Sequence, residues 1–202
     1  MDMEPTGWCS WANSSPQMRA YHDEEWGVPT ADDRRLFEKI CLEAFQCGLS
    51  WSTVLARRER LREVFANFAV DELSSFTEID VERLVADPTI IRHRKKIEAV
   101  LTNARACRLL IEEEESLGRY LWSFAPTTVH TSRDGSLQST STESIELSRD
   151  LKRRGWTFVG PTTMYALMQS VGMVNDHDHE CPSREKVEQV RATFDRSRKA
   201  RI

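Results

Sequence analysis

Long apolar runs are missing from this sequence of 202 residues, and so is the cysteine pattern of a small secreted domain. No stretch approaches the roughly 18 to 20 apolar residues of a membrane span, and the first residues lack the charged and then apolar pattern of a leader. We therefore expect a soluble, cytoplasmic protein with no membrane partner. The cysteines are odd in number and scattered, which predicts reduced thiols or metal ligands instead of disulfides. They are Cys9, Cys41, Cys47, Cys107 and Cys181.

An excess of basic charge is missing too. The net charge of −4 argues against a surface that binds polyanions everywhere, although a local basic patch could still contact nucleic acid. The chain is long enough to bury a sizeable core, in one domain or in two small ones that share it. Internal repeats and alternating strand patterns are not evident, which favours an all-α protein.

Apolar residues recur at helical spacing through most of the chain. Asp32 and Asp33 can cap a helix that Gly48 ends, and Ser50 can cap a following helix that carries apolar residues up to Phe68. Residues 126–142 have loop composition and form the one long linker predicted. The other predicted helices are residues 79–85, residues 97–110, residues 145–154, and the segment that opens at Pro161 and ends at Gly172.

Glu43 does not fit a purely structural account. Helical periodicity places its carboxylate at the edge of an apolar face, close in sequence to Phe45 and Trp51, where an unpaired charge is costly. One interpretation is a boundary glutamate that reaches water or pairs with an arginine. The other is a pocket carboxylate that recognises a cation or a hydrogen-bond donor.

Aromatic residues are dense near the start of the chain, with Trp8, Trp11, Tyr21 and Trp26 in the first 26 residues and Trp51 further on. Large rings can simply belong to the core. They can also form stacking surfaces for a nucleobase, especially a positively charged one. A nearby Glu43 suits the second interpretation.

Residues able to bind a metal occur at both ends of the chain: Cys9 and His22, then His177, His179 and Cys181. A Cys2His2 set can form the closed tetrahedral shell of structural zinc. The spacing of His177 and Cys181 puts both on one face of a helical turn, and so weakly favours His177 over His179. The alternative is a solvated histidine-rich loop beside a buried cysteine.

The run Arg92-His93-Arg94-Lys95-Lys96 follows Pro88 between two predicted helices. Exposed amides and cations at the start of a helix suit a phosphate group. A basic run this short can equally be a solvated face of the helix.

Several stretches together resemble the 3-methyladenine DNA glycosylase I family, in order and with matching spacing, over nearly the whole chain to Cys181. They are CSWA (9–12), AYHDEEWGVP (20–29), LFEKICLEAFQCGLSW (36–51), IIRHRKKIEAVLTNARA (90–106) and FVGPTTMYALMQSVGMVNDHDHEC (158–181). The resemblance implies a helix-hairpin-helix enzyme that flips an alkylated adenine out of double-stranded DNA, cleaves its N-glycosidic bond and releases free 3-methyladenine. It also implies one structural zinc ion per chain, a clasp that joins the N-terminal and C-terminal segments.

The resemblance also implies roles for individual residues. Glu43 is expected to be the catalytic residue, as the recogniser of the base rather than as a proven general base. The expected zinc ligands are Cys9, His22, His177 and Cys181. The expected base pocket is Trp11, Tyr21, Glu43 and Trp51. The expected DNA contacts are Gly48 and Leu49, which would enter the gap left by the flipped nucleotide, and Arg92, Arg94 and Lys95 on a hairpin over residues 87–95.

The sequence departs from the family pattern at a few positions. Met18 stands where a tyrosine is expected, and Ala44 and Phe45 could reshape the pocket floor. The segment VLTNARA (100–106) has no carboxylate to assist water, so catalysis is expected to rely on the charge of the leaving group. We expect a monomer with one compact unit of two helical lobes over residues 1–181 and a tail over residues 182–202. The alternatives are a zinc hydrolase, which a closed ligand shell disfavours, and a non-catalytic binder of damaged DNA.

Overall fold

The computed structural model describes residues 9–127 and 138–195, and within these ranges the chain is helical and has no strand, as predicted. Trp8, residues 128–137 of the predicted linker and residues 196–202 lie outside this part. None of the helices described combines the length and the apolar character needed to span a bilayer. In chain order they are α1 (Pro16–Glu24), α2 (Asp33–Gln46), α3 (Trp51–Leu55), α4 (Arg58–Val64), α5 (Val70–Ser74), α6 (Glu78–Ala86), α7 (Arg94–Glu114), α8 (Leu117–Trp122), α9 (Thr142–Arg153), α10 (Pro161–Ser170) and α11 (Pro182–Thr193).

Helix α2 crosses the centre of the core and packs against α3, α7, α8 and α10. Its start is as predicted, because an Asp32 side-chain oxygen accepts a hydrogen bond of 2.8 Å from the backbone amide of Arg35. Residues 36–45 are all buried, including the charged side chains of Glu38, Lys39 and Glu43. A charged side chain inside a core must be paired or must serve a function. The buried charges of α2 therefore indicate that this helix carries a functional site.

Helices α6 and α7 form a pair joined by the turn at residues 87–93. A capping box of Thr77 and Asp80 starts α6. Helix α7 starts at Arg94, three residues earlier than its apolar pattern predicts, and packs against α2, α5, α6 and α8. The turn therefore lies at the start of a long helix that packs against four others.

The prediction of one continuous helix from Ser50 to Phe68 was wrong. The segment forms α3, α4 and a 3-10 turn (Ala66–Phe68) in which all three residues have positive φ, between 50° and 56°. The breaks redirect the chain so that Leu61, Phe65 and Phe68 can all be fully buried. Tertiary burial has overridden local helical periodicity here.

The segment predicted as a tail begins with helix α11, which is tied to the rest of the fold. The Arg191 guanidinium donates hydrogen bonds of 2.8 Å to the carbonyl of Gly172 and 2.9 Å to that of Met173. Arg184 donates to the backbone carbonyl of His177. Helix α11 therefore holds the loop after α10 in place.

Gly172 lies just after α10, where the backbone comes close to that of Gly27 and Pro29. Its φ is +74°, and a Cβ added there would lie 2.4 Å from the carbonyl oxygen of Gly27 and 2.8 Å from the nitrogen of Pro29. No side chain fits at that distance, so the contact between these segments requires glycine.

We expect Gly172→Ala to lower the free energy of unfolding by more than about 3 kcal/mol, because it combines a left-handed backbone with a collision against backbone atoms. Gly155→Ala is the matched control: its φ is +85°, but nothing lies within 4 Å of an added Cβ. The control should cost only about 1 kcal/mol in denaturant unfolding. Equal losses for the two variants would show that the close approach does not matter.

Candidate functional site

A cavity of about 450 Å³ opens between α1, α2, α3 and α10. Three rings expected in a base pocket line it, together with Trp26, which sequence reasoning left out of the site. Trp11 and Trp26 meet edge to face at 5.1 Å between centroids, and the rings of Tyr21 and Trp51 lie 5.0 Å apart. The expected pocket residues Trp11, Tyr21, Glu43 and Trp51 thus lie together around one cavity.

The Glu43 carboxylate belongs to this cavity and is only 5 % exposed. No residue in the described ranges donates a hydrogen bond to it. Burial raises the pKa of Glu43 to about 7, and the charge of Lys39 partly opposes the rise. An anion without a donor, beside aromatic faces, is a receptor for a cation or for an N–H group of a ligand.

The structure adds pocket residues that the sequence patterns did not reveal. The Asp176 carboxylate lines the cavity and accepts hydrogen bonds of 2.8 Å from both the Tyr165 hydroxyl and the Gln169 amide. Gln46, at the end of α2, also lines it. Asp176 directly precedes His177 in the sequence, so its position near the site could be expected. Its contact with α10 depends on the tertiary fold and could not.

Three departures from the family pattern lie outside the cavity lining. Met18 is buried against Tyr21 and Leu55. Ala44 and Phe45 are buried, and Phe45 packs in the main core against Phe65 with centroids 5.9 Å apart. Neither Ala44 nor Phe45 lines the cavity directly, and the expectation that they reshape the pocket floor stays a prediction.

Cys9, His22, His177 and Cys181 form one buried group, with all ligand atoms within 4.8 Å of one another. The Nε2 atom of His22 lies 3.1 Å from Nδ1 of His177 and 3.5 Å from Sγ of Cys181. The same Nδ1 atom lies 3.7 Å from Sγ of Cys9. Tetrahedral zinc with ordinary bond lengths would separate such atoms by about 3.3 to 3.8 Å, so the group fits that ion.

Outer contacts select the ring nitrogens that face the group. Nδ1 of His22 lies 2.7 Å from the carboxylate of Asp23, so Nε2 is the ring nitrogen that faces the group. Nε2 of His177 lies 3.3 Å from the backbone carbonyl of Trp26, which leaves Nδ1. The Asp178 amide lies 3.3 Å from Sγ of Cys9. Three of the four inner atoms, those of Cys9, His22 and His177, are therefore oriented by a neighbour outside the group.

His177, and not His179, belongs to this group. His179 and Glu180 are exposed, whereas His177 is 1 % exposed. The weak preference that spacing gave for His177 agrees with this geometry. In the absence of a cation, burial raises the pKa of the Cys9 thiol to about 12, so a buried thiolate here requires positive charge.

Gly48 and Leu49 form an exposed turn between α2 and α3, at the cavity mouth next to Gln46 and Trp51. Gly48 has a φ of +76°, and Leu49 is 40 % exposed. The turn is held from below by Lys96 on α7, whose ammonium donates hydrogen bonds of 2.9 Å to the Phe45 carbonyl and 2.5 Å to the Cys47 carbonyl.

The basic run is divided in the structure. Arg92 and Lys95 are exposed and make no ion pair in the described ranges. Arg94 is held by acidic side chains, with guanidinium hydrogen bonds of 2.8 Å to Glu78 and 2.5 Å to Glu82. Lys96, the last member of the run, is buried and is unavailable to a phosphate.

A helical fold with an aromatic pocket that ends in a buried carboxylate defines a protein suited to bind a flat, cationic ring. The chain belongs to the methyladenine glycosylase family, whose model matches residues 11–185.

Named relatives agree with this assignment. DNA-3-methyladenine glycosylase 1 of Escherichia coli strain K12 is 44 % identical over 176 residues, which cover 86 % of this chain and 94 % of that protein. A crystal structure of 3-methyladenine DNA glycosylase I matches with a TM-score of 0.82 at 44 % identity, covering 87 % of this chain and 98 % of that one. The structure from Staphylococcus aureus, described as showing the basis of 3-methyladenine recognition, matches with a TM-score of 0.81 at 31 % identity and covers 87 % and 95 %.

Proposed function

We propose that this protein excises 3-methyladenine from alkylated DNA by hydrolysing its N-glycosidic bond, leaving an abasic site and a free base. The observation that carries the proposal is the Glu43 carboxylate, which has no donor within the described ranges and lies in a cavity lined by Trp11, Tyr21 and Trp51. Relatives with this name and the structure of 3-methyladenine recognition support the choice of base.

The pocket chemistry suits a base that carries a positive charge. Methylation at N3 makes adenine cationic, and electron-rich rings attract a cation. The Glu43 carboxylate can accept hydrogen bonds from the exocyclic amine side of the base. A neutral adenine gains less from both interactions, and it is also harder to unstack and flip than a damaged base.

Cleavage of the N-glycosidic bond depends on the same positive charge of the base. The bond between a cationic base and its sugar is already weakened, so little acid assistance is needed. Residues 100–106 offer no carboxylate to attack or to position water, and Asn103 is occupied by hydrogen bonds of 3.0 Å and 2.8 Å with the backbone of Thr157. Glu43 therefore acts on the base as its recogniser.

The test is release of free base from methylated duplex DNA. We expect wild-type protein to release 3-methyladenine, and Glu43→Gln to lower kcat/KM by about 10- to 100-fold, because a charge-assisted hydrogen bond is worth roughly 1.5–3 kcal/mol. Glu146→Gln, on the exposed face of α9, is the control and should keep full activity.

Two outcomes contradict the proposal in different ways. Full excision by Glu43→Gln would remove the assigned role of that residue. Tight binding to alkylated DNA without base release would favour the second candidate, a non-catalytic binder of damaged DNA, which the same aromatic pocket could also support.

The cluster of Cys9, His22, His177 and Cys181 is proposed to hold one structural zinc ion. Two thiolates and two neutral imidazoles complete a tetrahedral shell, which leaves no position for a reacting water and disfavours a zinc hydrolase. When bound, the ion would link segments from the two ends of the chain.

We expect His177→Ala to lose the zinc and His179→Ala to retain about one ion per chain, measured as metal content after gel filtration. Thermal unfolding should follow the metal, because binding energy at a closed site is folding energy. Retention of zinc by His177→Ala together with its loss from His179→Ala would reverse the ligand assignment.

The turn between α6 and α7 is proposed as the hairpin of a helix-hairpin-helix element that binds the DNA backbone. The first amides of α7 have no acceptor within the helix, which makes this end suited to a phosphate. Arg92 and Lys95 supply exposed cations beside it. Gly48 and Leu49 are proposed to enter the gap left by the flipped nucleotide, since their turn is exposed at the cavity mouth.

We expect Lys95→Ala to weaken binding to all DNA sequences alike and to reduce the slope of log affinity against log salt by about 1. Arg94→Ala is the matched comparison and should change the slope less, because Glu78 and Glu82 already neutralise its guanidinium. Binding titrations at several salt concentrations measure both. A larger loss for Arg94→Ala would mean that DNA displaces the glutamates.

A further inference from the structure

A lysine ammonium lies behind the wall of the pocket. Lys39 on α2 is only 5 % exposed, and its Nζ atom lies 3.2 Å from the Tyr21 hydroxyl and 4.5 Å from the centre of the Tyr21 ring. It also pairs with Glu25. A buried lysine is costly, so its position requires a reason.

Pairing with Glu25 does not by itself explain why Lys39 is buried. The Arg58 guanidinium already holds both oxygens of Glu25, at 2.6 and 2.9 Å. The same guanidinium and that of Arg62 hold Glu38, each through Nε, at 2.7 and 2.9 Å. Two arginines therefore satisfy two carboxylates, and Lys39 adds a further positive charge to a buried network.

Besides its ion pair with Glu25, Lys39 acts through its charge on Glu43. Lys39 and Glu43 are four positions apart on α2, so they share a face with about 6 Å between their Cβ atoms. Burial raises the pKa of Glu43 to about 7, and the charge of Lys39 lowers it. Burial in turn lowers the pKa of Lys39, which Glu25 and Glu43 both raise.

Other groups around Glu43 do not replace Lys39. The nearby anions disfavour a second negative charge, Arg58 is engaged by carboxylates, and Lys96 is engaged by two carbonyls. The ionisable groups on the elements around Glu43 are Tyr21 on α1, Glu25 directly after α1, Arg58 on α4, Lys96 on α7, Tyr165 on α10, and Asp176 and Asp178 after α10.

Lys39 also sets the orientation of the Tyr21 hydroxyl. An ammonium group only donates, so the phenol oxygen must accept from it, and the phenol hydrogen must point elsewhere. Tyr21 lines the cavity, and its ring packs on Trp51.

We propose that Lys39 is a positioning residue of the pocket, which keeps the Glu43 carboxylate ionised for a cationic base and fixes the Tyr21 ring from behind. This inference rests on the proposed glycosylase function, because it concerns how the pocket selects a charged base. Lys39 itself does not touch the base.

The test is the pH dependence of kcat/KM for release of 3-methyladenine by Lys39→Met. Ionised Glu43 sets the acid limb of the wild-type profile. Without Lys39 this limb should move to higher pH by about one to two units, the order of magnitude for the loss of a charge roughly 6 to 10 Å away at an effective dielectric constant near 20. Activity near pH 7 should fall by about tenfold and should recover towards wild type as the pH rises.

Two further variants separate charge from structure. Lys39→Arg keeps the cation and should keep the acid limb in its wild-type position, whatever its maximal rate. Lys152→Met, a matched change on the exposed end of α9, should leave the whole profile unchanged. The fold should persist in Lys39→Met because Arg58 still pairs with Glu25, and circular dichroism checks this.

The outcomes distinguish this inference from the proposed function. If wild-type protein releases no base, the proposed function fails and this inference falls with it. If wild-type protein releases base, and Lys39→Met loses activity equally at every pH or keeps the wild-type profile, only the role of Lys39 is wrong. A shifted limb that Lys39→Arg does not show would support it.

Discussion

The contact between His22 and His177, at 3.1 Å across 155 positions of sequence, is the interaction on which the pocket depends. The same histidines carry the pocket wall, because the ring of Trp11 lies 5.2 Å from His22 and that of Trp26 lies 4.6 Å from His177. A cation that held the two histidines would therefore also fix the aromatic faces. The candidate metal group and the pocket wall are in direct contact through these rings.

The polar face of α2 imposes the second constraint. The folded state raises the pKa of Glu43 from 4.5 to about 7, so ionising this carboxylate costs stability at about 1.4 kcal/mol per pKa unit. The cost is absent below the ordinary pKa, grows as the pH rises through about 7 and then stays constant. The buried surroundings make the ionised Glu43 carboxylate unfavourable when no ligand is bound. The same surroundings strengthen its attraction for a cationic base, because few waters screen the charge.

Periodicity and caps were sufficient to predict the helices that bury a regular apolar face. Asp32 and Ser50 cap α2 and α3 as expected, and α6, α7, α9 and α10 lie where the pattern places them. The break between α3 and α4 could not be predicted, since it results from the burial of Leu61 and Phe65 against distant elements. Local patterns carry no information about such contacts.

The candidate site was predictable to a different degree. Resemblance indicated which aromatic and ligand residues would meet, and the structure brings them together. The resemblance could not reveal the ion pairs of Arg94 or the burial of Lys39. A charged residue on a helix is expected to be exposed to solvent unless its neighbours are known. The approach of Gly172 to Gly27 could not be predicted either, because it depends on contacts between distant parts of the sequence.

On the proposed function, recognition and rate have one physical source. The positive charge of the base is attracted by Glu43 and the aromatic rings, and it also weakens the bond that breaks. Because residues 100–106 carry no carboxylate, α7 supplies no acid there to protonate a neutral base. Undamaged adenine would thus lack both the binding energy and the activated bond. Selectivity then follows from the charge of the substrate, which explains why α2 retains a carboxylate that the fold alone would not favour.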